Sequence, residues 1–284
     1  MIIEILKAIL FGIVEGITEW LPVSSTGHLI LLDEFVKLDV TEAFFEMFEV
    51  VIQLGAILAV LVLFFRKLNP FSPKKAQSEK KKTWQLWAKV VVAVIPSAVL
   101  GLLLDDWMDA TLYRFEVVAI ALIIYGVAFI LVEKQNKDRK MKIHNVHEID
   151  YRTALLIGAF QCLSLIPGTS RSGSTILGGI LLGVARPAAA EFSFFLAIPT
   201  MLGASALKIV KYAYECTKGE ALPPNVTELT VLLVGCVVSF LVSLAVIRAL
   251  MEYVRKRSFS AFGIYRIILG VVVIGYFLIK MLLA

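Results

Sequence analysis

The sequence predicts an all-α polytopic membrane protein made of two inverted-topology repeats, each a re-entrant broken helix pair followed by three transmembrane helices. Three observations lead there. First, 59% of the 284 residues are hydrophobic, 18% are charged and the mean hydropathy is +0.84, values far from those of a soluble domain of this length. Second, six apolar runs, near 44–65, 87–104, 115–132, 189–210, 229–250 and 262–283, are long enough to cross roughly 30 Å of hydrocarbon as helices. Third, one constant offset of 146 positions relates the two halves, placing Gly12 on Gly158, Glu15 on Gln161, Ser24 on Ser170, Gly27 on Gly173 and Phe48 on Phe194.

Taken in order, the apolar stretch Ile2 to Phe11 leads into Glu15 and Glu19 rather than a small-residue cleavage site, so it reads as part of the mature chain. Segment 2–36 is interrupted by LPVSSTGH, and segment 151–186 by LIPGTSRSGS; Pro22 and Pro167 remove backbone donors there, and neither segment reads as a straight span. The first repeat covers 1–146 and the second 147–284. The loop from Arg66 to Lys89 carries eight cations against Glu79 alone, which places it in the cytoplasm. Alternation then follows: Asp105, Asp106 and Asp109 outside, the basic stretch 133–152 inside, Glu215, Glu220 and Glu228 outside, and Arg255 to Arg257 inside. The lysine run reads as a solvated loop, rather than as a nucleic-acid or lipid-specific site, and no nucleic-acid partner is expected. Trp20, Trp84, Trp87 and Trp107 read as interface anchors. Cys162, Cys216 and Cys236, far apart and without ligand spacing, read as small apolar fillers.

Three spans per half is an odd number, so the second half enters the membrane in the opposite sense. If each interrupted segment goes in and returns, the two broken tips approach the midplane from opposite faces. Irregular backbone at that depth is tolerated only in protein or around a wet cavity, so the tips should line something polar.

Their residues indicate what. Glu15 and Glu19, spaced i, i+4, share a helix face, and two ionised carboxylates in low dielectric need a proton or a cation between them. Ser24, Ser25, Thr26, Gly27 and His28 follow, hydroxyl donors opening a half-helix whose N-terminus favours an anion. Gly168, Thr169, Ser170, Arg171, Ser172 and Gly173 repeat that design with a guanidinium added, the side chain suited to forked contacts with phosphate oxygens. Plainer readings exist for each: Glu15 and Glu19 could only neutralise Arg171, and the hydroxyl runs could serve as caps or interhelical hydrogen bonds. His144 and His147 sit in a loop away from this constellation.

EGITEWLPVSSTGH together with PGTSRSGST, in a chain of this length and repeat pattern, resembles the undecaprenyl-diphosphate phosphatase family, the bacitracin-resistance type of polyprenyl-diphosphatase. The resemblance covers essentially the whole chain. It implies a multi-pass enzyme of the bacterial inner membrane, its active site open to the periplasmic side, converting undecaprenyl diphosphate to the monophosphate carrier lipid of peptidoglycan synthesis. It carries the paired glutamates onto Glu15 and Glu19, the hydroxyl-glycine-histidine run onto Ser24 to His28, and the arginine loop onto Gly168 to Gly173. Catalytic roles are expected for Glu15, Glu19, Ser25, His28 and Arg171. Diphosphate contacts are expected from Ser24, Thr26, Gly27, Gly168, Thr169, Ser170, Ser172 and Gly173. A divalent cation, Mg2+ or Ca2+, is expected on Glu15 and Glu19.

The nucleophile stays open among Ser25, Ser24, His28 and water, with Ser25 favoured and His28 or Glu19 as proton acceptor. Partners are the lipid substrate and the bilayer, and homodimerisation is left open. Two other readings compete. A lipid phosphatase of the lysine, Arg-Pro and two-histidine type lacks its second histidine here, and Gly179 stands where the lysine would be. A secondary transporter or lipid flippase would account for inverted repeats but not for the whole acid, hydroxyl, histidine and arginine set.

Overall fold

A chain this apolar can satisfy its backbone N–H and C=O groups in lipid only by bonding them internally, as helices do. The computed structural model describes residues 1–112 and 114–283, and these are helical apart from connecting loops and one parallel bridge pairing Ile143 with Val184. The helices are α1 (Ile2–Thr18), α2 (Ser25–Phe35), α3 (Glu42–Val51), α4 (Gln53–Leu63), α5 (Phe65–Leu68), α6 (Gln77–Leu112), α7 (Phe115–Gln135), α8 (Tyr151–Gln161), α9 (Arg171–Leu181), α10 (Arg186–Lys218), α11 (Val226–Lys256) and α12 (Ser260–Leu283).

Among the described residues six helical stretches are long and apolar enough to cross a membrane: Glu42–Leu63, Gln77–Leu104, Phe115–Gln135, Arg186–Lys218, Val226–Lys256 and Ser260–Leu282. They coincide with the six apolar runs, with three differences. The first is nicked at Ile52, which keeps helical angles (φ −58°, ψ −26°) between α3 and α4. Helix α6 begins at Gln77, so Lys80, Lys81 and Lys82, expected in a loop, lie on its first turns. It also runs past the acidic turn expected around Asp105, Asp106 and Asp109, whose side chains lie outside the described residues.

The helix α1 buries Glu4, Ala8, Phe11, Gly12 and Glu15, a stripe at three- and four-residue spacing. It rests on α11, and the approach is close at Gly12 and Gly16, where a Cβ would stand 2.8 Å from the Gly235 and Ser239 carbonyl oxygens respectively. Small residues four apart are what such a backbone approach requires. The helix α11 starts from a capping box, Asn225 accepting from the Glu228 N–H and Glu228 from the Asn225 N–H, and Glu228 also accepts from the Thr41 N–H at 3.1 Å. The helix α10 ends on Gly219 in the left-handed region (φ 75°).

At one end of the bundle charged pairs clip loops to helices. Arg186 forks onto Glu133, which also accepts from the Phe259 N–H at 3.0 Å, and Lys67 pairs with Glu191. The main core lies between these clips and the two interrupted segments, around Phe129, Phe192, Phe194 and Phe195.

Trp20 departs from the interface role expected for it. It is fully buried, its ring edge-on to Phe194 at 5.2 Å with the Arg171 guanidinium 5.8 Å from its centroid. The chain turns inward after Glu19, which carries the indole into the core; Trp84 and Trp107, on outer helix faces, are exposed.

Candidate active site

Each interrupted segment folds as two helices joined by a short tip, α1 to α2 through residues 19–24 and α8 to α9 through residues 162–170, the second opening with a 3-10 turn at Cys162–Leu165. The second helix of each pair starts on a serine in a conformation that L-residues rarely adopt. Ser24 has φ 73° and Ser170 has φ 75°, and among the described residues these are the only non-glycine residues at positive φ. Backbone of this kind costs about 1–3 kcal/mol per residue and persists where surroundings enforce it. The enforcing contacts include the serine hydroxyls, which accept from the Gly27 N–H at 3.3 Å and from the Gly173 N–H at 3.1 Å. The tips are thereby tied down, with two helix N-termini brought to one place.

Side chains then join one tip to the other. The Arg171 guanidinium donates to Glu19 Oε1 at 2.7 Å and to the Ser193 carbonyl at 2.8 Å. The Ser172 hydroxyl lies 3.0 Å from the Glu19 carbonyl oxygen and 3.2 Å from that of Leu21. Arg266, fully buried on α12, donates to the Pro22 carbonyl at 3.1 Å and the Gly168 carbonyl at 2.8 Å. Gly168 itself (φ 89°) has no alternative, since a Cβ there would stand 2.5 Å from the Val118 carbonyl oxygen.

Between the tips lies a cavity of about 140 Å³. Glu19, Ser24, Ser25, Thr26, Ser170 and Arg171 supply its polar lining, together with Gly168 from the second tip. Ser25 donates to Glu19 Oε2 at 2.6 Å, so one carboxylate accepts from a hydroxyl on one oxygen and from a guanidinium on the other. A hydroxyl hydrogen-bonded to a carboxylate is a nucleophile with its base already in place. The Nε of Arg171 is buried without a hydrogen-bond partner, leaving a donor on a cation that lines the cavity.

The remaining expected residues surround the cavity without lining it. His28 has both ring nitrogens engaged, Nδ1 with the Ser24 carbonyl at 2.7 Å and Nε2 with the Tyr265 hydroxyl at 2.7 Å. That makes Nδ1 the N–H donor and Nε2 the acceptor, so neither faces Ser25 as a free base. Gly27 packs against Val118 and Gly173 against Arg266; Ser172 is buried in the tip-to-tip contact, and Thr169 is buried in the second tip. Glu15, fully buried one helical turn before Glu19, has no hydrogen-bond partner for either carboxylate oxygen. An unpartnered carboxylate at this depth calls for a proton or a cation. Among the described residues no three His, Cys, Asp or Glu side chains gather into a metal cluster, so a cation held here would draw on Glu15 and Glu19 and on oxygens from elsewhere.

Several residues of the site were not read from the sequence. Gln53 and Thr200 line the cavity, Ser193 accepts from Arg171, and Arg266 ties the tips. Arg266 carried a signal, a lone cation inside an apolar run. The single hydroxyls and Gln53 resemble ordinary interhelical hydrogen-bonding groups and carried none. A larger apolar groove of about 370 Å³ opens beside the cavity between α6 and α10, and shares Ser164, Leu165, Thr200 and Ala204 with it.

Fold and site together define a multi-pass membrane protein with a polar cavity, lined by Glu19, Ser25 and Arg171, that adjoins an apolar groove. Residues 8–272 match the family described as bacitracin resistance protein BacA. Similar chains include proteins named undecaprenyl-diphosphatase from Enterococcus faecalis, 57% identical over 96% of this chain and 97% of the relative, and from Limosilactobacillus fermentum, 58% identical over 97% and 98%. One from Streptococcus thermophilus is 56% identical over 99% and 96%. The chain belongs to the bacitracin resistance protein BacA family.

Proposed function

We propose that the protein hydrolyses undecaprenyl diphosphate to undecaprenyl phosphate and inorganic phosphate. The observation that carries this reading is the Glu19, Ser25 and Arg171 constellation at the meeting of two helix N-termini. The relatives' shared name supplies the substrate.

The chemistry follows from the geometry. The terminal phosphoryl group sits in the cavity, its oxygens held by Arg171 and by the N–H and hydroxyl donors of Ser24 to Thr26 and of Ser170. Glu19 takes the proton of Ser25 as the serine oxygen bonds to phosphorus and the bridging P–O bond breaks, releasing undecaprenyl phosphate. Glu19 passes that proton to the departing phosphate and, ionised again, takes one from water as the water oxygen displaces the serine; this proton returns to the serine oxygen as inorganic phosphate leaves. The transition state spreads charge over the equatorial oxygens, so the protein contributes by position and by electrostatic stabilisation. Ser25 suits the nucleophile's role better than Ser24, whose hydroxyl caps Gly27, or His28, whose nitrogens are engaged. Glu15 with Glu19 would hold a divalent cation, Mg2+ or Ca2+, whose chemistry is to neutralise charge on phosphate oxygens.

The polyprenyl chain extends into the α6–α10 groove, which is apolar where the adjoining cavity is polar. Two inverted-topology repeats with re-entrant tips account for the arrangement. Adding 146 to the bounds of α2 gives those of α9, and the strained serines fall on the same register. The loop charges orient the cavity to the outer side of the bacterial inner membrane, where recycling of the carrier lipid supports peptidoglycan synthesis and bacitracin resistance.

The test is phosphate release from undecaprenyl diphosphate in detergent micelles, where no second compartment exists and pure transport gives no signal. Wild type releases phosphate and Ser25→Ala loses at least about a thousandfold in rate, as removal of an activated nucleophile does. No release by the wild-type protein overturns the reading; undiminished release by Ser25→Ala removes the serine from its role.

A further inference from the structure

A second cleft lies between α4 and α11, at the end of the bundle clipped by the Arg186–Glu133 and Lys67–Glu191 pairs, and away from the proposed active site. It holds about 480 Å³. Its floor is apolar, formed by Leu63, Phe64, Ile247 and Met251, and its rim carries Arg248, Arg255 and Lys256. Phe64 is braced edge-on against Phe195 at 5.3 Å, so the floor is fixed. The acid on the rim, Glu252, accepts from Lys256 at 3.4 Å. Arg248 and Arg255 are exposed, and neither has a hydrogen bond or ion pair among the described residues.

Arg248 is the unusual member. It lies eight residues before the last residue of α11, about 12 Å along the helix axis, among Ala245, Val246, Ile247, Ala249 and Leu250. A guanidinium facing the hydrocarbon boundary is costly unless it reaches an anion or water. The architecture does not demand it: the offset of 146 places Leu102 at the matching position, and the α6–α10 groove there is apolar. Seven residues, close to two turns, separate Arg248 from Arg255, so both cations lie on one stripe of α11.

We propose that this cleft binds the phosphate headgroup of an anionic phospholipid, with Arg248 and Arg255 on the phosphate oxygens and an acyl chain over Phe64 and Met251. A fork of guanidinium donors above an apolar floor matches an anionic head on an apolar tail, and matches neither a free anion nor a purely apolar ligand.

The experiment titrates phosphatidylglycerol into the full-length protein in a zwitterionic detergent and follows thermal unfolding, with phosphatidylcholine and inorganic phosphate as parallel titrants. Phosphatidylglycerol raises the unfolding temperature of wild type, and the other two do not. In Arg248→Gln/Arg255→Gln the half-effect concentration rises about twenty-five-fold, at about fivefold for each cation near a lipid headgroup. It is unchanged in Lys81→Gln/Lys82→Gln, cations exposed on another helix. Equal effects of phosphatidylcholine or inorganic phosphate, an unchanged double arginine variant or an equal loss in the lysine variant would each overturn the proposal. Arg255→Gln alone, near the helix end, gives the same reading with about a fivefold shift if the double variant does not fold.

Discussion

At the scale of single residues, Glu19 holds the site together. It accepts from Ser25 on one oxygen and from Arg171 on the other, and its own carbonyl oxygen lies within reach of the Ser172 hydroxyl. In Glu19→Gln the amide keeps the shape but is no proton acceptor, and its NH2 group cannot accept from Ser25 or Arg171. Turnover is expected to fall about a thousandfold or more, and the buried guanidinium left without its counter-ion costs about 3–5 kcal/mol of stability. Kinetics alongside thermal unfolding in detergent separate the two effects. An active Glu19→Gln protein would reject the general-base assignment. Arg171→Lys is the sharper test of phosphate recognition. A lysine keeps one charge for Glu19 but cannot also reach the Ser193 carbonyl, because its ammonium is a point charge and not a fork. A loss of about two orders of magnitude in kcat is expected, about 2.7 kcal/mol of transition-state stabilisation. Near-normal turnover at saturating substrate would make Arg171 a structural counter-ion only.

At the scale of elements, tips and clips do different work. Each tip uses a strained serine to start a helix at the cavity, a local conformation held by tertiary contacts. The charged end of the bundle is held by loops, among them the turn at Val146–Glu148, where the capping box of Asn145 and Glu148 closes and Lys89 donates to the His147 carbonyl. The His147 imidazole in that turn is half-buried. Burial, and then the surrounding Lys67, Lys89, Lys82 and Lys75, hold its pKa below the ordinary histidine value. A base whose folded pKa is depressed binds fewer protons in the folded than in the unfolded state, so stability present above the unfolded value near 6.5 is lost as pH falls below it. His147→Gln is therefore expected to reduce the fall in unfolding temperature between pH 7.5 and pH 5.5. An identical pH profile for the two proteins would show that His147 does not contribute to it.

At the scale of the whole molecule, the proposed topology and the tail groove give separate tests. With the basic loops inside, a cysteine at Lys74 or Lys256 is expected to resist a membrane-impermeant label in intact cells and to react once the membrane is opened. Labelling of position 74 from outside would invert the orientation and move the cavity to the other face. Gly203 faces open space along the α6–α10 groove, where a Cβ would have no neighbouring atom within 4 Å. Gly203→Phe is expected to raise KM for undecaprenyl diphosphate about tenfold, the scale of one lost apolar subsite, while leaving a short-chain isoprenyl diphosphate unaffected. Equal effects on both substrates would place the tail elsewhere.

Much of this molecule is written in its sequence because the bilayer reduces the choices: apolar runs of sufficient length must be helices, and the runs are read directly. The motifs also bring forward Glu19, Ser25 and Arg171, since carboxylates, hydroxyls and a cation stand out in an apolar chain, and the structure puts Ser25 and Arg171 on one carboxylate. Trp20 misleads because an aromatic residue beside a charged one looks the same at an interface as in a core, and only the inward turn after Glu19 distinguishes them. The tertiary structure alone decided which atom faces which. It brought two tips 146 residues apart into contact and gave Glu19 both Ser25 and Arg171 as partners. It turned His28 toward Tyr265, and it recruited Arg266, Ser193, Gln53 and Thr200 from distant helices. The physical reason is that helix formation and burial depend on local pattern, whereas the partner of a buried polar group is set by packing between helices far apart in the chain, which no local pattern encodes.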